Sequence, residues 1–186
     1  PHAVGRCAYR LGEESAQTST CFRVQLSARL RPSGYMASPS SGDGGSAAPG
    51  TLSAKIDGAS MTLVEIATFA TLSNGNLQIQ GNTGGTSSKA IIMYIMGFDG
   101  VGTYPIGGGA NIFNWASYVE TVVALSNPTA PDVKTWQAPF DDTQAGEIKI
   151  SEVTDTNIQG TFSFSAKTEG ENTKSVTEGA FNIDFN

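Results

Sequence analysis

Hydrophobic and polar residues alternate most cleanly in FRVQLSARLR, residues 22–31. Phe22, Val24, Leu26, Ala28 and Leu30 fall on one side and Arg23, Gln25, Ser27, Arg29 and Arg31 on the other. Successive side chains of a strand point to opposite faces, so this stretch predicts a strand with one face to bury. The same period returns in GEIKISEVTDTNIQGTFSFSA, residues 146–166. Ile148, Ile150 and Val153 precede the polar TDTN and Ile158, Phe162 and Phe164 follow it, which reads as the antiparallel hairpin around which the fold is organised. Upstream, the pattern predicts a strand at Leu52–Ile56, a turn at Asp57-Gly58 and a second strand from Thr62 to Leu72. A turn at Asn74-Gly75 leads to a third strand through Leu77 and Ile79. AIIMYIM, residues 90–96, is apolar on both sides and predicts a central strand packed on each face. A short strand at Tyr104–Ile106 lies between glycine clusters.

The stretch from Asn111 to Leu125 is ambiguous. Ile112, Trp115, Val119 and Val122 fit a helical spacing, but its Val, Thr and aromatic content favours a strand, which is the reading adopted. NPTAPD, residues 127–132, predicts a loop, KTEGENTK a polar turn, and Val176–Phe185 a last strand in which Phe181, Ile183 and Phe185 alternate. Strands at short intervals joined by turns predict an all-β fold, an antiparallel β-sandwich or flattened meander barrel with an N-terminal extension.

Residues 32–50, PSGYMASPSSGDGGSAAPG, interrupt the pattern with a composition that has little to pack. They divide the chain into an extension at 1–36 holding the candidate strand, a flexible Gly/Ser/Pro/Ala linker at 37–50 and a β domain at 51–186. Charge follows the same division. The first 36 residues hold all five Arg against two acids, giving +3; the other 150 hold six Lys against fifteen acids, giving −9, and together they make the net −6. An acidic β domain argues against nucleic acid as a partner, because a phosphate backbone calls for a basic face. No apolar run is long enough to span a membrane. The chain begins at Pro1 without a signal-like apolar core and is read as processed.

The β domain contains neither Cys nor His, which narrows the chemistry it can host. Cys7 and Cys21 are either a disulfide closing a 15-residue loop or two thiols. Asp132, Asp141 and Asp142 offer oxygen ligands for Ca²⁺, against the plainer reading of solvated turn residues; no other cofactor is expected. Asp155-Thr-Asn157 reads more simply as an Asx turn closing the hairpin. Glu65, Glu120, Glu147 and Glu152 all fall on predicted strands with nothing to pair them across a cleft, as glycosidase chemistry would require. Trp115, Tyr118, Trp136 and Phe140 are either an aromatic surface for a glycan or protein partner or, the favoured reading, core residues.

From Thr51 onward the order of SAKIDG (53–58), NGNLQIQG (74–81), GTYPI (102–106), GEIKISEVTDTNIQGTFSF (146–164) and VTEGAFNIDF (176–185) resembles a family of exported lipoproteins of unknown function found in Bacteroidota. GTFSF with EGAFNI is the most specific part. The resemblance implies an extracytoplasmic, lipid-tethered β domain and supplies no catalytic residues. QTST before Cys21 lacks the apolar and small residues of a lipidation box, so any tether belongs to the precursor. The expectation is a non-enzymatic extracytoplasmic β domain at the cell surface, acting as a surface-tethered binding or structural module. One alternative is a subunit of an extracellular filament joined by insertion of Phe22, Val24, Leu26, Ala28 and Leu30 as a donor strand. The other is a Ca²⁺-dependent adhesion domain.

Overall fold

The computed structural model describes residues 45–63, 67–109, 111 and 113–186. The candidate strand at 22–31, Cys7, Cys21 and Glu65 lie outside the described residues. Eleven strands are described: β1 (Thr51–Ile56), β2 (Ala59–Leu63), β3 (Phe69–Ser73), β4 (Asn76–Asn82), β5 (Ser87–Ile95), β6 (Gly102–Gly107), β7 (Trp115–Val122), β8 (Asp132–Ala138), β9 (Gln144–Val153), β10 (Asn157–Ala166) and β11 (Lys174–Asp184). They form two antiparallel sheets packed face to face as a sandwich, not closed into a barrel. One is ordered β2-β1-β11-β10-β9-β6 and the other β3-β4-β5-β7-β8. The ambiguous stretch at 111–125 is a strand over Trp115–Val122.

The tight hairpins follow from residues that tolerate positive φ. Asp57 and Gly58 have φ of 49° and 84°, and Asn74 and Gly75 have 52° and 74°. Both pairs thus have the signs of the two-residue turn whose twist matches that of the flanking strands. The β9–β10 turn departs from the expected Asx turn. Thr154, not Asp155, closes it: its hydroxyl oxygen accepts the Asn157 N–H at 3.0 Å, and its own N–H donates to the Asn157 carbonyl at 2.9 Å. In the hairpin itself Ile158 opposes Val153, Gly160 opposes Ile150 and Phe162 opposes Ile148. A bulge between the first two pairs absorbs one extra residue of β9, so Ile150 and Val153, three apart, both face inward.

The strand expected from Thr62 to Leu72 is two strands in different sheets: β2 ends at Leu63 and β3 begins at Phe69. VEIATFA contains no Gly or Pro to mark the break; β2 buries Met61 and Leu63 in one sheet and β3 buries Ala70 in the other. β5 is the middle strand of its sheet, but only Ile91, Met93 and Ile95 are buried; Ala90, Ile92 and Tyr94 are half-buried on the outer face. The core lies between the sheets and contains Leu52, Ile79, Ile91, Ile148, Phe162, Phe164, Phe181 and their neighbours.

The GTFSF and EGAFNI segments meet there in a reciprocal arrangement. Gly160 pairs with Phe181 and Phe162 with Gly179 on adjacent strands. A Cβ on Gly160 would lie 2.6 Å from the Phe181 ring, and one on Gly179 would lie 2.6 Å from the Phe162 ring. Each glycine therefore leaves room for the aromatic opposite it. The rings of Phe162 and Phe181 stack at 6.3 Å, and Phe164 continues the row at 6.2 Å from Phe162.

Both edges of the five-stranded sheet are tied to the other sheet. Gln137 of β8 exchanges both backbone hydrogen bonds with Lys167, and β3 meets the C-terminus through Asn186 N–H to Ala70 C=O at 2.9 Å. At the start of the described chain, Asn182 Nδ2 donates to Ala47 C=O at 3.4 Å, so the end of the Gly/Ser-rich stretch is attached to β11.

Candidate functional site

The four expected aromatic residues do not form one surface. Tyr118 and Trp136 are core residues, 0% and 2% exposed, tilted against each other with centroids 5.6 Å apart. Trp115 is 39% exposed and Phe140 55% exposed, Trp115 on the outer face of the five-stranded sheet and Phe140 on the β8–β9 connection. Trp115 and Tyr118 are three residues apart on one strand, and an odd spacing sends them to opposite faces.

Trp115 has a partner that the sequence pattern did not single out. Tyr94 of β5 is its cross-strand neighbour, and the two rings stack with centroids 5.6 Å apart and planes 15° from parallel. Gln78 is the next residue in that row, opposite Tyr94 on β4. The adjacent row runs Phe69, Gln80, Ile92, Ser117, Gln137 across all five strands. Gln78 Nε2 donates to Gln80 Oε1 at 3.0 Å, which links the two rows and fixes both amides.

Alternation from the buried positions of β3, β4, β5, β7 and β8 assigns every outward residue of this sheet, and none is charged. The outer face of the six-stranded sheet differs: it carries Lys55, Glu147 and Lys149, with Lys55 paired to Glu178 at 2.7 Å.

The loop ends beside the platform are held by one buried side chain. Asn114, 7% exposed and next to Trp115, accepts the Met96 N–H at its Oδ1 (3.3 Å) and donates through Nδ2 to Pro105 C=O (3.1 Å). It joins the end of β5 to β6 just where Tyr94 and Trp115 meet. Trp115 also lines a cavity of about 190 Å³ with Ala116, Gln137, Ala138 and Pro139.

The Tyr118 hydroxyl donates to Glu120 Oε1 at 2.7 Å, and burial first, then this carboxylate, pushes its pKa far above the usual phenol range. Trp136 Nε1 donates to Asn172 C=O at 2.9 Å, and Lys174 Nζ sits 5.3 Å over the Trp136 ring while pairing with Asp57 at 3.0 Å. The Ser175 N–H beside Asp57, with Lys174, holds that carboxyl below its ordinary value.

Asp132, Asp141 and Asp142 are not brought together as a metal site; among the described residues no group of three or more His, Cys, Asp or Glu could hold an ion. Asp141 is already engaged by the Thr143 hydroxyl and N–H and by Lys167 at 3.3 Å, and its pKa is pulled down to about 2 chiefly by Thr143. Glu120 points inward from β7, Glu147 outward from β9, and Glu152 accepts from Gln159 Nε2 at 3.2 Å, so these carboxylates do not face one another across a cleft. Among the described residues no helix is long and apolar enough to cross a membrane.

No curated protein and no solved structure matches the chain. Residues 52–183, which take in every described strand except Thr51 at the start of β1 and Asp184 at the end of β11, match the family model described as "Domain of unknown function (DUF6252)", and the chain belongs to that family.

Proposed function

We infer that this is a non-enzymatic, extracytoplasmic β-sandwich module that acts by binding, tethered to the cell surface as an exported lipoprotein of the Bacteroidota type would be. The observation that carries the reading is the charge-free outer face of the five-stranded sheet with its Tyr94–Trp115 stack. Partly exposed aromatic side chains set among uncharged groups favour a ligand surface, because they offer apolar area without the cost of stripping water from a charge. The Gly/Ser-rich stretch before β1 supports the tether, since such a composition spans distance without packing. The test is labelling of intact producing cells with a membrane-impermeant reagent. The chain is expected to be labelled before lysis, and labelling only after lysis refutes surface attachment.

A second reading is favoured by the edges of the six-stranded sheet. β6 carries Pro105, which has no N–H to offer another strand, whereas β2 is a five-residue edge strand with outward Ser60 and Thr62. A basic amphipathic strand at 22–31 of a neighbouring molecule is the complementary partner for an acidic domain with such an edge, giving a filament by donor-strand addition. In the full chain, Val24→Asp with Leu26→Asp is expected to abolish any self-assembly. Assembly that survives this pair of changes, measured by light scattering, sinks the filament reading.

A further inference from the structure

We propose that the Tyr94–Trp115 platform is a binding site for a neutral carbohydrate chain, with Gln78, Gln80 and Gln137 as the amides that read its hydroxyls. This deepens the binding-module reading and rests on it. Three observations point to this ligand class. The first is charge: the chain carries −6, yet every outward position of this sheet is uncharged. An acidic or basic ligand would find no counter-charge here, while a neutral one displaces no ion pair.

The second is the chemistry of the two rows. Trp115 presents a partly exposed indole beside Tyr94, and the apolar C–H face of a sugar ring packs on such a π-surface. Gln78, Gln80 and Gln137 each supply both a donor and an acceptor, which is what a hydroxyl, itself donor and acceptor, requires. Gln78 and Gln80 are held by their mutual hydrogen bond at 3.0 Å, so little side-chain entropy remains to be lost on binding.

The third is shape. The cavity of about 190 Å³ beside Trp115, bounded by Gln137, Ala138 and Pro139, lies at the end of the platform, so a chain lying across β4, β5 and β7 has a recess for one further ring. A protein partner of ordinary affinity would instead draw on Arg and a larger apolar centre. This face has no Arg, and its aromatic side chains are the stacked Tyr94–Trp115 pair and the half-buried Phe69 on the edge strand β3.

The experiment titrates the full chain with neutral hexasaccharides of β-linked glucose, xylose, mannose and N-acetylglucosamine, and with acidic oligogalacturonate. Tryptophan fluorescence and calorimetry are the readouts. At least one neutral probe is expected to bind and shift the Trp115 emission. That affinity should hold from low to high salt, and oligogalacturonate should bind more weakly. Trp115→Ala should weaken binding by about tenfold or more while the protein still melts in one transition. Phe140→Ala, which removes an exposed ring away from this face, should leave binding unchanged.

Silence across the neutral panel, equal affinity in Trp115→Ala, or salt-sensitive binding overturns the proposal. If Trp115→Ala instead abolishes self-association with no sugar bound, the carbohydrate assignment fails and the binding-module reading survives. Failure of surface labelling on intact cells removes the tethered-module reading independently of any sugar result.

Discussion

A single methyl group at Gly160 probes the reciprocal glycine–phenylalanine contact at the centre of the six-stranded sheet. The Cβ of an alanine there would lie 2.2 Å from the Lys149 carbonyl oxygen and 2.6 Å from Phe181 Cζ. The ring has some freedom to shift. The carbonyl belongs to β9, directly beside β10, and can retreat only by opening the ladder between the two strands. Overpacking a tight site typically costs about 1–3 kcal/mol, and a clash with backbone rather than a flexible side chain puts Gly160→Ala at the upper end, about 3 kcal/mol. At roughly 2–4 °C per kcal/mol for a chain of this size, the melting temperature should fall by about 6–12 °C. Urea unfolding followed by tryptophan fluorescence measures the loss. Adding Phe181→Leu, which removes the ring but not the carbonyl, should recover only part of it in a double-mutant cycle. Gly45→Ala, with open space around its Cβ, should stay within about 0.5 kcal/mol of wild type. Gly160→Ala as stable as wild type, or complete rescue by Phe181→Leu, would refute the reasoning.

Other consequences can be checked with the same protein. Glu178 has a φ of 49° at the β11 bulge, a conformation that costs a side-chain-bearing residue about 1–2 kcal/mol, so Glu178→Gly should be neutral or mildly stabilising in urea despite losing its exposed pair with Lys55. Asp57 and Asp141 both have folded pKa values below the ordinary 3.8. Their stabilisation is complete above the unfolded value and is lost as pH falls through the folded one, down to about 2 for Asp141. Melting temperature should therefore fall between roughly pH 4 and pH 2, and Asp57→Asn should flatten part of that slope. Acrylamide should quench Trp115 and spare Trp136, so Trp115→Phe is expected to leave a blue-shifted, poorly quenched emission; strong quenching of that variant would contradict the burial of Trp136.

The sandwich was legible where a two-residue period met a turn signal. Leu52–Ile56, Asp57-Gly58, Asn74-Gly75, the 146–166 hairpin and the alternation of Phe181 and Ile183 all follow from local rules, because strand geometry and positive φ are properties of a few consecutive residues. The split between Leu63 and Phe69 was not legible, since moving from one sheet to the other is a choice of neighbours and leaves no Gly or Pro behind. Half of the candidate site was within reach: once 115–122 is a strand, Trp115 and Tyr118 must face opposite ways. Tyr94 was hidden in AIIMYIM, which is apolar in both phases, so nothing local tells its inner side from its outer.

By itself, then, the sequence determined the strand class, the tight turns and the acidic character of the domain, all of which depend on short-range periodicity or simple composition. Only the tertiary structure decided the pairing of Gly160 with Phe181, the stack of Tyr94 on Trp115 and the gathering of uncharged positions on one face. Those depend on register between segments some 20 residues apart, and register is set by which apolar sides the two sheets bury against each other.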